Sequence, residues 1–288
     1  MEVSLFKTLW GHDGPSSEAG RLVSEAGFDG IEGPYPEEAK EREVFDEVIS
    51  SGDLLFIAEV STCTPFGFYV PSPGKSPKDH LDSLRSGIEG SLEGKPLFIN
   101  TMAGSDAWSF SEAVEFYAKV PDLESEYRIS VSLETHRGRY LNSPWSTHRI
   151  LEEIPDLKLT CDFSHFCVVA ERLVLEEEAD VLKACADHAF HLQTRVGYSQ
   201  GPQVPDPRAP EHENDLTTHE RWWDEVWKSQ LSRGFEHFTI TPEFGPDGYL
   251  HCAPFSGEPV ADLWEINQWI GLREKKRLLS QLDPISLT

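Results

Sequence analysis

The chain has 288 residues and a formal net charge of −25 at pH 7. A charge of this sign and size repels phosphate backbones and anionic lipid surfaces, so we expect neither nucleic acid nor a membrane as a partner. The first residues lack a basic region followed by an apolar stretch, and no run of about eighteen apolar residues occurs. The sequence therefore predicts neither a signal peptide nor a membrane span.

The five cysteines are odd in number and form no CxxC pair. Neither a disulfide framework nor a zinc ribbon is indicated by this pattern, and a reducing compartment is the default for such a protein. We therefore expect a cytoplasmic protein.

Apolar runs and helical patterns alternate along the chain. Eight apolar runs predict strands, at 3–9, 30–32, 54–60, 97–101, 129–133, 157–161, 189–192 and 238–241. Apolar residues at helical spacing lie between several of them, as in Leu81, Leu84, Ile88 and Leu92. Eight strands, each followed by a helix or a long loop, predict an α/β fold, a closed (β/α)8 TIM barrel formed by one domain over residues 1–288.

Two further helices are predicted near the C-terminus. Thr217 and Glu220 have the spacing of a capping box, which predicts a helix start at that point. A closing helix follows the last strand. Three tryptophans in the first of these helices could form a sugar-stacking platform, but their helical spacing favours packing in the core: Trp222, Trp223 and Trp227.

Pro- and Gly-rich stretches at 64–77 and 197–210 directly follow predicted strands. In a parallel barrel, the loops after the strands surround the active site. We therefore expect both stretches to lie at the mouth of the barrel.

Polar residues suited to a metal ion follow or end four successive strands. They are Glu134, Asp162 with His165 three residues later, His191 and Glu243. Any one of them could be an ordinary strand-end residue, but unpaired acidic groups are rarely buried, and here they recur after apolar runs. Three carboxylates and an imidazole suit a single divalent ion. The sequence therefore predicts a metal-dependent enzyme.

Other polar or aromatic residues end or follow the predicted strands one, three, four and five. They are Trp10, His12, Glu59, Asn100 and His136. Each either contacts substrate or is a solvated loop residue. We place Trp10, Asn100 and His136 among the candidate substrate-binding residues, together with Arg195, which follows the predicted strand at 189–192.

Four segments, in this order and spacing, resemble the xylose-isomerase-like TIM-barrel superfamily, also called the sugar phosphate isomerase/epimerase family. They are AGFDGIE at 26–32, the DxxH of Asp162 and His165, FHLQT at 190–194 and TPEFGP at 241–246. The resemblance covers nearly the whole chain.

The resemblance implies that Glu134, Asp162, His191 and Glu243 bind one divalent metal ion, which would be Mn, Mg, Co or Zn, with Mn favoured. It also implies that Glu134 and Glu243 exchange a substrate proton, and that His165 binds substrate or a second ion. A divalent ion stabilises the charge of an enediolate, and flanking carboxylates remove and return the proton.

The sequence departs from the ketose 3-epimerases at two positions. Tyr140 stands where they carry a further glutamate, and Gly197 stands where they carry an arginine, for which Arg195 and Arg208 are the nearest candidates. Endonuclease IV is disfavoured, because Asn100 stands where a ligand histidine is expected and the chain is acidic.

We therefore expect a metal-dependent isomerase or epimerase of a small carbohydrate or polyol, acting next to a carbonyl through an enediolate. A lyase or dehydratase acting on a sugar, keto-sugar or glycoside at the same site is the alternative, and a non-catalytic sugar-binding barrel is a third. Few basic residues lie near the predicted mouth, which disfavours a phosphorylated sugar. Homo-oligomerisation is possible.

Overall fold

Eight parallel strands form a closed barrel in the computed structural model, which describes residues 1–12, 14–65, 69–246 and 248–282. Each strand pairs with the next, and the last pairs with the first. The strands are β1 (Glu2–Thr8), β2 (Gly30–Gly33), β3 (Leu55–Ser61), β4 (Ile99–Met102), β5 (Val131–Glu134), β6 (Lys158–Cys161), β7 (Ala189–Gln193) and β8 (His237–Thr241). The predicted (β/α)8 barrel is confirmed.

Helices follow the strands and cover the outside of the barrel. They are α1 (Ser16–Glu25), α2 (Ala39–Ser51), α3 (Pro77–Ser91), α4 (Phe110–Tyr117), α5 (Val120–Tyr127), α6 (Pro144–Glu153), α7 (Ser164–Ala170), α8 (Ala179–His188), α9 (Glu213–Ser232) and α10 (Leu263–Leu282). None of the helices in the described ranges has both the length and the apolar content needed to cross a bilayer.

The predicted capping box at Thr217 is wrong, because α9 begins four residues earlier, at Glu213. The Thr217 hydroxyl donates to the Glu213 carbonyl, 2.8 Å away, inside the helix. A threonine can make this bond to the preceding turn of a helix, so its spacing from a glutamate alone does not mark a helix start. The three tryptophans of α9 are at most 1% exposed, which confirms that they pack in the core.

The barrel interior changes from apolar to polar along its axis. Phe6, Ile57 and Phe98 form a buried cluster inside the barrel. Alternate residues of a strand share a face, so the residues two and four positions further along the same strands also point inward. Among these are Glu59 and Asn100, which are paired in the β3–β4 register. The apolar cluster closes one end, and the polar residues line the end at which the strands finish.

Residues 197–210 lie in the loop after β7, at the end of the barrel where the strands finish, as predicted. In the predicted loop 64–77, residues 66–68 lie outside the described residues.

Candidate active site

Three buried carboxylates converge at the C-terminal end of the barrel. Glu134 is the last residue of β5, Asp162 directly follows β6, and Glu243 lies two residues beyond β8. One oxygen atom from each lies within 4.8 Å of the others, and the three residues are at most 6% exposed. Active sites of TIM barrels lie at this end.

A buried guanidinium enters the same cluster. Arg195, only 1% exposed, donates through Nη2 to Asp162 Oδ2, and the same atom lies 3.2 Å from Glu243 Oε2. Its Nε donates to Ser164 Oγ over 3.1 Å. Burial opposes the charged form, but Asp162 and Glu243 outweigh it and raise the pKa of Arg195 above its ordinary value. Arg195 therefore carries a fixed positive charge among the carboxylates.

His191 lies deeper in the barrel and has other partners. Its Nδ1 is 2.8 Å from Thr239 Oγ1, and its Nε2 is 3.1 Å from Thr241 Oγ1 and 3.2 Å from Glu32 Oε2. Both ring nitrogens are thus engaged outside the three-carboxylate cluster. Burial opposes ionisation of Glu32, yet the interaction with His191 prevails and lowers the pKa of Glu32. The role of His191 as a metal ligand stays a prediction.

Two amide side chains connect Glu32, which lies beside His191, with Glu134 of the three-carboxylate cluster. Asn100 donates through Nδ2 to Glu32 Oε1 (2.7 Å) and to Glu134 Oε2 (3.2 Å). Gln193 Nε2 faces the same two carboxylates at 3.4 and 3.5 Å. Asn100 is fully buried. Its hydrogen bonds therefore orient the carboxylates of Glu32 and Glu134.

Sequence reasoning missed Glu32 and Gln193 as residues of the site. Both were visible in the quoted segments AGFDGIE and FHLQT. The period of two along a strand could have found Gln193, because it shares the inward face of β7 with His191.

The two histidines assigned to substrate binding pack against each other beside Glu134, with their rings tilted by 51°. The rings of His136 and His165 have centroids 4.1 Å apart, and one ring nitrogen of each lies within 4.8 Å of a Glu134 oxygen. Arg195 Nη2 donates to His165 Nε2 over 2.6 Å, so the proton of a neutral His165 ring is on Nδ1. Burial lowers the pKa of both histidines well below the ordinary value, with Arg195 adding to the effect.

A cavity of about 1030 Å³ opens above the carboxylates. Glu134 and Glu243 lie at its base with His136 and Arg195, and aromatic side chains form much of its wall. Trp10 packs edge-on against Tyr249, with ring centroids 4.9 Å apart. The predicted mouth residues His12 and Glu59 also line the cavity, as do Tyr35, Pro65 and Tyr69.

Three glutamates that line the cavity have raised pKa values. Burial raises the pKa of Glu134 well above its ordinary value, and the nearby Glu59 and Asp162 raise it further. Burial likewise raises the pKa of Glu243, despite the opposing charge of Arg195. Glu59 has its pKa raised to about 8 by burial and by the neighbouring carboxylates Glu243 and Glu32. Carboxyl groups with raised pKa values are typical of acid/base sites.

The donor set suits a hard divalent cation. Glu134 Oε1 is a buried oxygen with no hydrogen-bond partner among the described residues, and so is Gln193 Oε1. Glu134, Asp162 and Glu243 supply carboxylate oxygens around one point, with His136 and His165 beside Glu134. Magnesium and manganese prefer such oxygen-rich sites, and a divalent charge would offset the repulsion among the carboxylates.

Tyr140, Arg208 and Gly197, the positions at issue in the comparison with the ketose 3-epimerases, have the following surroundings. Tyr140 is mostly buried, and its ring packs 6.5 Å from that of Tyr117. Arg208 pairs with Asp206 at the surface. Gly197 is buried, and a Cβ placed on it would lie 2.7 Å from backbone atoms of Ser164.

The closed parallel barrel, with its carboxylate cluster at the strand ends, defines the class of protein. The chain belongs to the xylose isomerase-like TIM barrel family, whose model matches residues 21–224. No protein with a curated sequence is detectably similar to this chain.

Solved structures of low sequence identity share the fold. A D-allulose 3-epimerase from Methylomonas sp., in complex with D-allulose, is 12% identical, with a TM-score of 0.60 over 96% of this chain and 97% of that one. A xylose isomerase-like TIM barrel protein from Mycobacterium smegmatis, in complex with magnesium, is 12% identical, with a TM-score of 0.61 over 96% and 95%. A probable 3-DHS dehydratase from Bacillus anthracis is 18% identical, with a TM-score of 0.52 over 86% and 95%.

Proposed function

We propose that the protein is a divalent-metal-dependent isomerase or epimerase of a small carbohydrate or polyol. The observation that carries the proposal is the convergence of three buried carboxylates, from Glu134, Asp162 and Glu243, of which Glu134 and Glu243 line a cavity at the strand ends. The family and the structural neighbours, which include sugar epimerases, support the same class of chemistry.

The proposed metal-binding residues are Glu134, Asp162 and Glu243, with manganese favoured among Mn, Mg, Co and Zn. A bound divalent ion would supply the positive charge that stabilises an enediolate as it forms. His191 remains the fourth predicted ligand, and to join this set its Nε2 would have to give up its contacts with Glu32 and Thr241.

Glu134 and Glu243 are the proposed acid/base pair. Their carboxyl oxygens lie within 4.8 Å of each other and both residues line the cavity, so both can reach one substrate carbon from different strands. Burial raises the pKa of both groups, and the positive charge of a bound divalent ion would favour their ionised, proton-accepting forms. Asn100 holds the Glu134 carboxylate by its Oε2, which leaves Oε1 as the oxygen available for proton transfer or for the ion.

Substrate recognition is assigned to the residues above the carboxylates. His136 and Arg195 offer polar groups to hydroxyl and carbonyl oxygens, and the Trp10 ring offers an apolar face to the carbon skeleton of a sugar. His165 acts through Arg195 and His136, both of which it contacts.

A lyase or dehydratase acting on a sugar, glycoside or keto-sugar is a second candidate, supported by the structural neighbour that is a probable dehydratase, and the size of the cavity would admit a glycoside. At about 1030 Å³ it lies at the upper end of the range of roughly 300–1,000 Å³ for small-molecule sites. A substrate larger than one sugar ring would fit. Such an enzyme would start from the same proton abstraction.

Solvent deuterium incorporation tests the proposed chemistry. Ketoses, aldoses and glycosides are incubated with the manganese-loaded protein in deuterated water and analysed by mass spectrometry. We expect deuterium at the carbon next to the carbonyl. Glu134→Gln and Glu243→Gln should each slow the exchange by a factor on the order of a hundred or more, because glutamine keeps the volume but cannot accept a proton.

The matched control is Glu153→Gln, which makes the same chemical change on an exposed residue of α6. Exchange should be unaffected there. Deuterium entry with departure of a leaving group selects the lyase over the epimerase. Turnover without deuterium entry, dependent on a nucleotide cofactor, contradicts both.

A cytoplasmic location, one domain over residues 1–288 and homo-oligomerisation belong to the same proposal. The five cysteines are unpaired in the structure, which supports a reducing compartment.

A further inference from the structure

Arg195 occupies the carboxylate cluster from within. Its Nη2 atom contacts Asp162 Oδ2, Glu243 Oε2 and His165 Nε2, and its Nη1 lies 3.4 Å from the Glu243 carbonyl oxygen. A guanidinium that is 1% exposed and paired on one side with two carboxylates is a built feature of the site.

Arg195 and Ser164 together occupy both oxygen atoms of the Asp162 carboxylate. Asp162 Oδ1 accepts from the backbone N–H of Ser164 (3.0 Å) and from its hydroxyl (2.5 Å), and Oδ2 accepts from Arg195. Both oxygens are thus in use, whereas Glu134 Oε1 has no hydrogen-bond partner among the described residues. A divalent cation and Arg195 would have to share Asp162 Oδ2, where two positive charges repel each other.

The cavity offers the guanidinium a second position. The Arg195 guanidinium carbon already lies 4.9 Å from the ring centroid of Tyr249 and 5.9 Å from that of Trp10, and both rings line the cavity. Aromatic faces at this distance attract a guanidinium. A change of rotamer could therefore move the charge from Asp162 towards the cavity without leaving it unpartnered.

We propose that Arg195 is an internal counter-ion that competes with the divalent metal for Asp162 and Glu243, and that metal occupancy turns its guanidinium towards Trp10 and Tyr249 to face the substrate. The inference rests on the metal site of the proposed function. Arg195 then has two roles: it neutralises the carboxylates of the metal-free protein and positions substrate in the loaded one.

Metal affinity of the wild type and of Arg195→Gln tests the competition. Both proteins are freed of metal by a chelator and titrated with Mn²⁺ alone in a calorimeter. We expect the variant to bind Mn²⁺ more tightly, by roughly tenfold or more, because a competing cation has been removed. Equal or weaker binding by the variant overturns the inference.

Arg137→Gln is the control, because it removes one positive charge near the cavity without removing the guanidinium from Asp162. The Arg137 guanidinium lies over Tyr249, 4.5 Å from the ring centroid. The Mn²⁺ affinity of this variant should stay within about threefold of the wild type, because Arg137 is partly exposed and its charge is screened by solvent. A gain equal to that of the Arg195 variant would assign the effect to net charge and overturn the inference.

A second measurement on the wild-type protein does not depend on the variant folding. Phenylglyoxal modification is mapped by mass spectrometry with chelator and with saturating Mn²⁺. Arg195 should be protected without metal and modified with it. Arg139 is an internal control, because it is fully buried and donates to the backbone carbonyls of Thr62, Gly104 and Tyr69. Unchanged protection of Arg195 in the presence of Mn²⁺ overturns the inference.

The two proposals fail in different ways. If neither the wild type nor Arg195→Gln binds Mn²⁺, the metal site of the proposed function is wrong and the inference falls with it. If both bind Mn²⁺ equally well, the inference fails while the proposed function stands.

Discussion

At the scale of single residues, the site depends on how closely β7 and its loop approach the residues after β6. Ser164, which donates twice to Asp162 Oδ1, lies against the backbone at Gly197. A Cβ on Gly197 would lie 2.7 Å from the Cα and carbonyl oxygen of Ser164. Any side chain there would push on Ser164 and, through it, on Asp162.

Gly197→Ala should therefore lower the free energy of unfolding by about 1–3 kcal/mol, the usual cost of overpacking a tight interior contact. The added Cβ would lie 2.7 Å from the Ser164 Cα and carbonyl oxygen, and backbone atoms cannot rotate away. Urea unfolding measures the change.

Gly90→Ala in α3 is the matched control, because a Cβ there would meet nothing within 4 Å. It should stabilise the protein, by about 0.5–1 kcal/mol, since alanine favours the helix more than glycine does. If Gly197→Ala is as stable as the wild type, the close approach of these segments is contradicted.

At the scale of elements, α10 contains a buried acid whose ionisation opposes folding. Glu274 is fully buried, and Arg277 donates to its Oε2 over 2.5 Å. Burial nevertheless raises the pKa of Glu274 to about 8, from an ordinary value of 4.5. Between these two pH values the folded state holds more protons than the unfolded state, so this group makes the free energy of unfolding fall as pH rises.

Glu274→Gln should remove this decrease in the free energy of unfolding with rising pH, because glutamine does not ionise. Relative to the wild type, the variant should gain on the order of 1 kcal/mol or more between about pH 5 and pH 8. Urea unfolding at several pH values, with chelator present, measures the difference. Glu153→Gln, on an exposed site of α6, should leave the pH dependence unchanged. Parallel curves for the wild type and Glu274→Gln would show that Glu274 does not titrate in this window.

The elements also show how far the sequence could predict the site. Apolar runs located all eight strands, and the period of two would have placed Gln193 on the same face of β7 as His191. The height of each residue in the barrel depends on the stagger between strands. His191 pairs in register with Thr160, across an irregularity next to Leu159, which leaves it one level below Asp162. Such long-range register leaves no local signal, so Arg195 could not be placed in the cluster in advance.

At the scale of the whole molecule, the net charge and the carboxylates inside the barrel both favour the binding of a cation. A net charge of −25 attracts divalent cations and repels phosphorylated sugars. Inside the barrel, the carboxylates of Glu32, Glu59, Glu134, Asp162 and Glu243 gather in one region, with Arg195 and His191 among them. The strand-end carboxylates in the sequence predicted a cation site, but the position of Arg195 emerged only from the closed barrel.

The most direct test of the central claim is a crystal structure of the manganese-loaded protein, with the ion located by its anomalous scattering. We predict a strong peak bounded by oxygen atoms of Glu134, Asp162 and Glu243, at the base of the cavity, and its loss in crystals of Asp162→Ala. A peak coordinated by His191 and Glu32 instead, or the absence of any peak in the barrel at saturating manganese, would contradict the account.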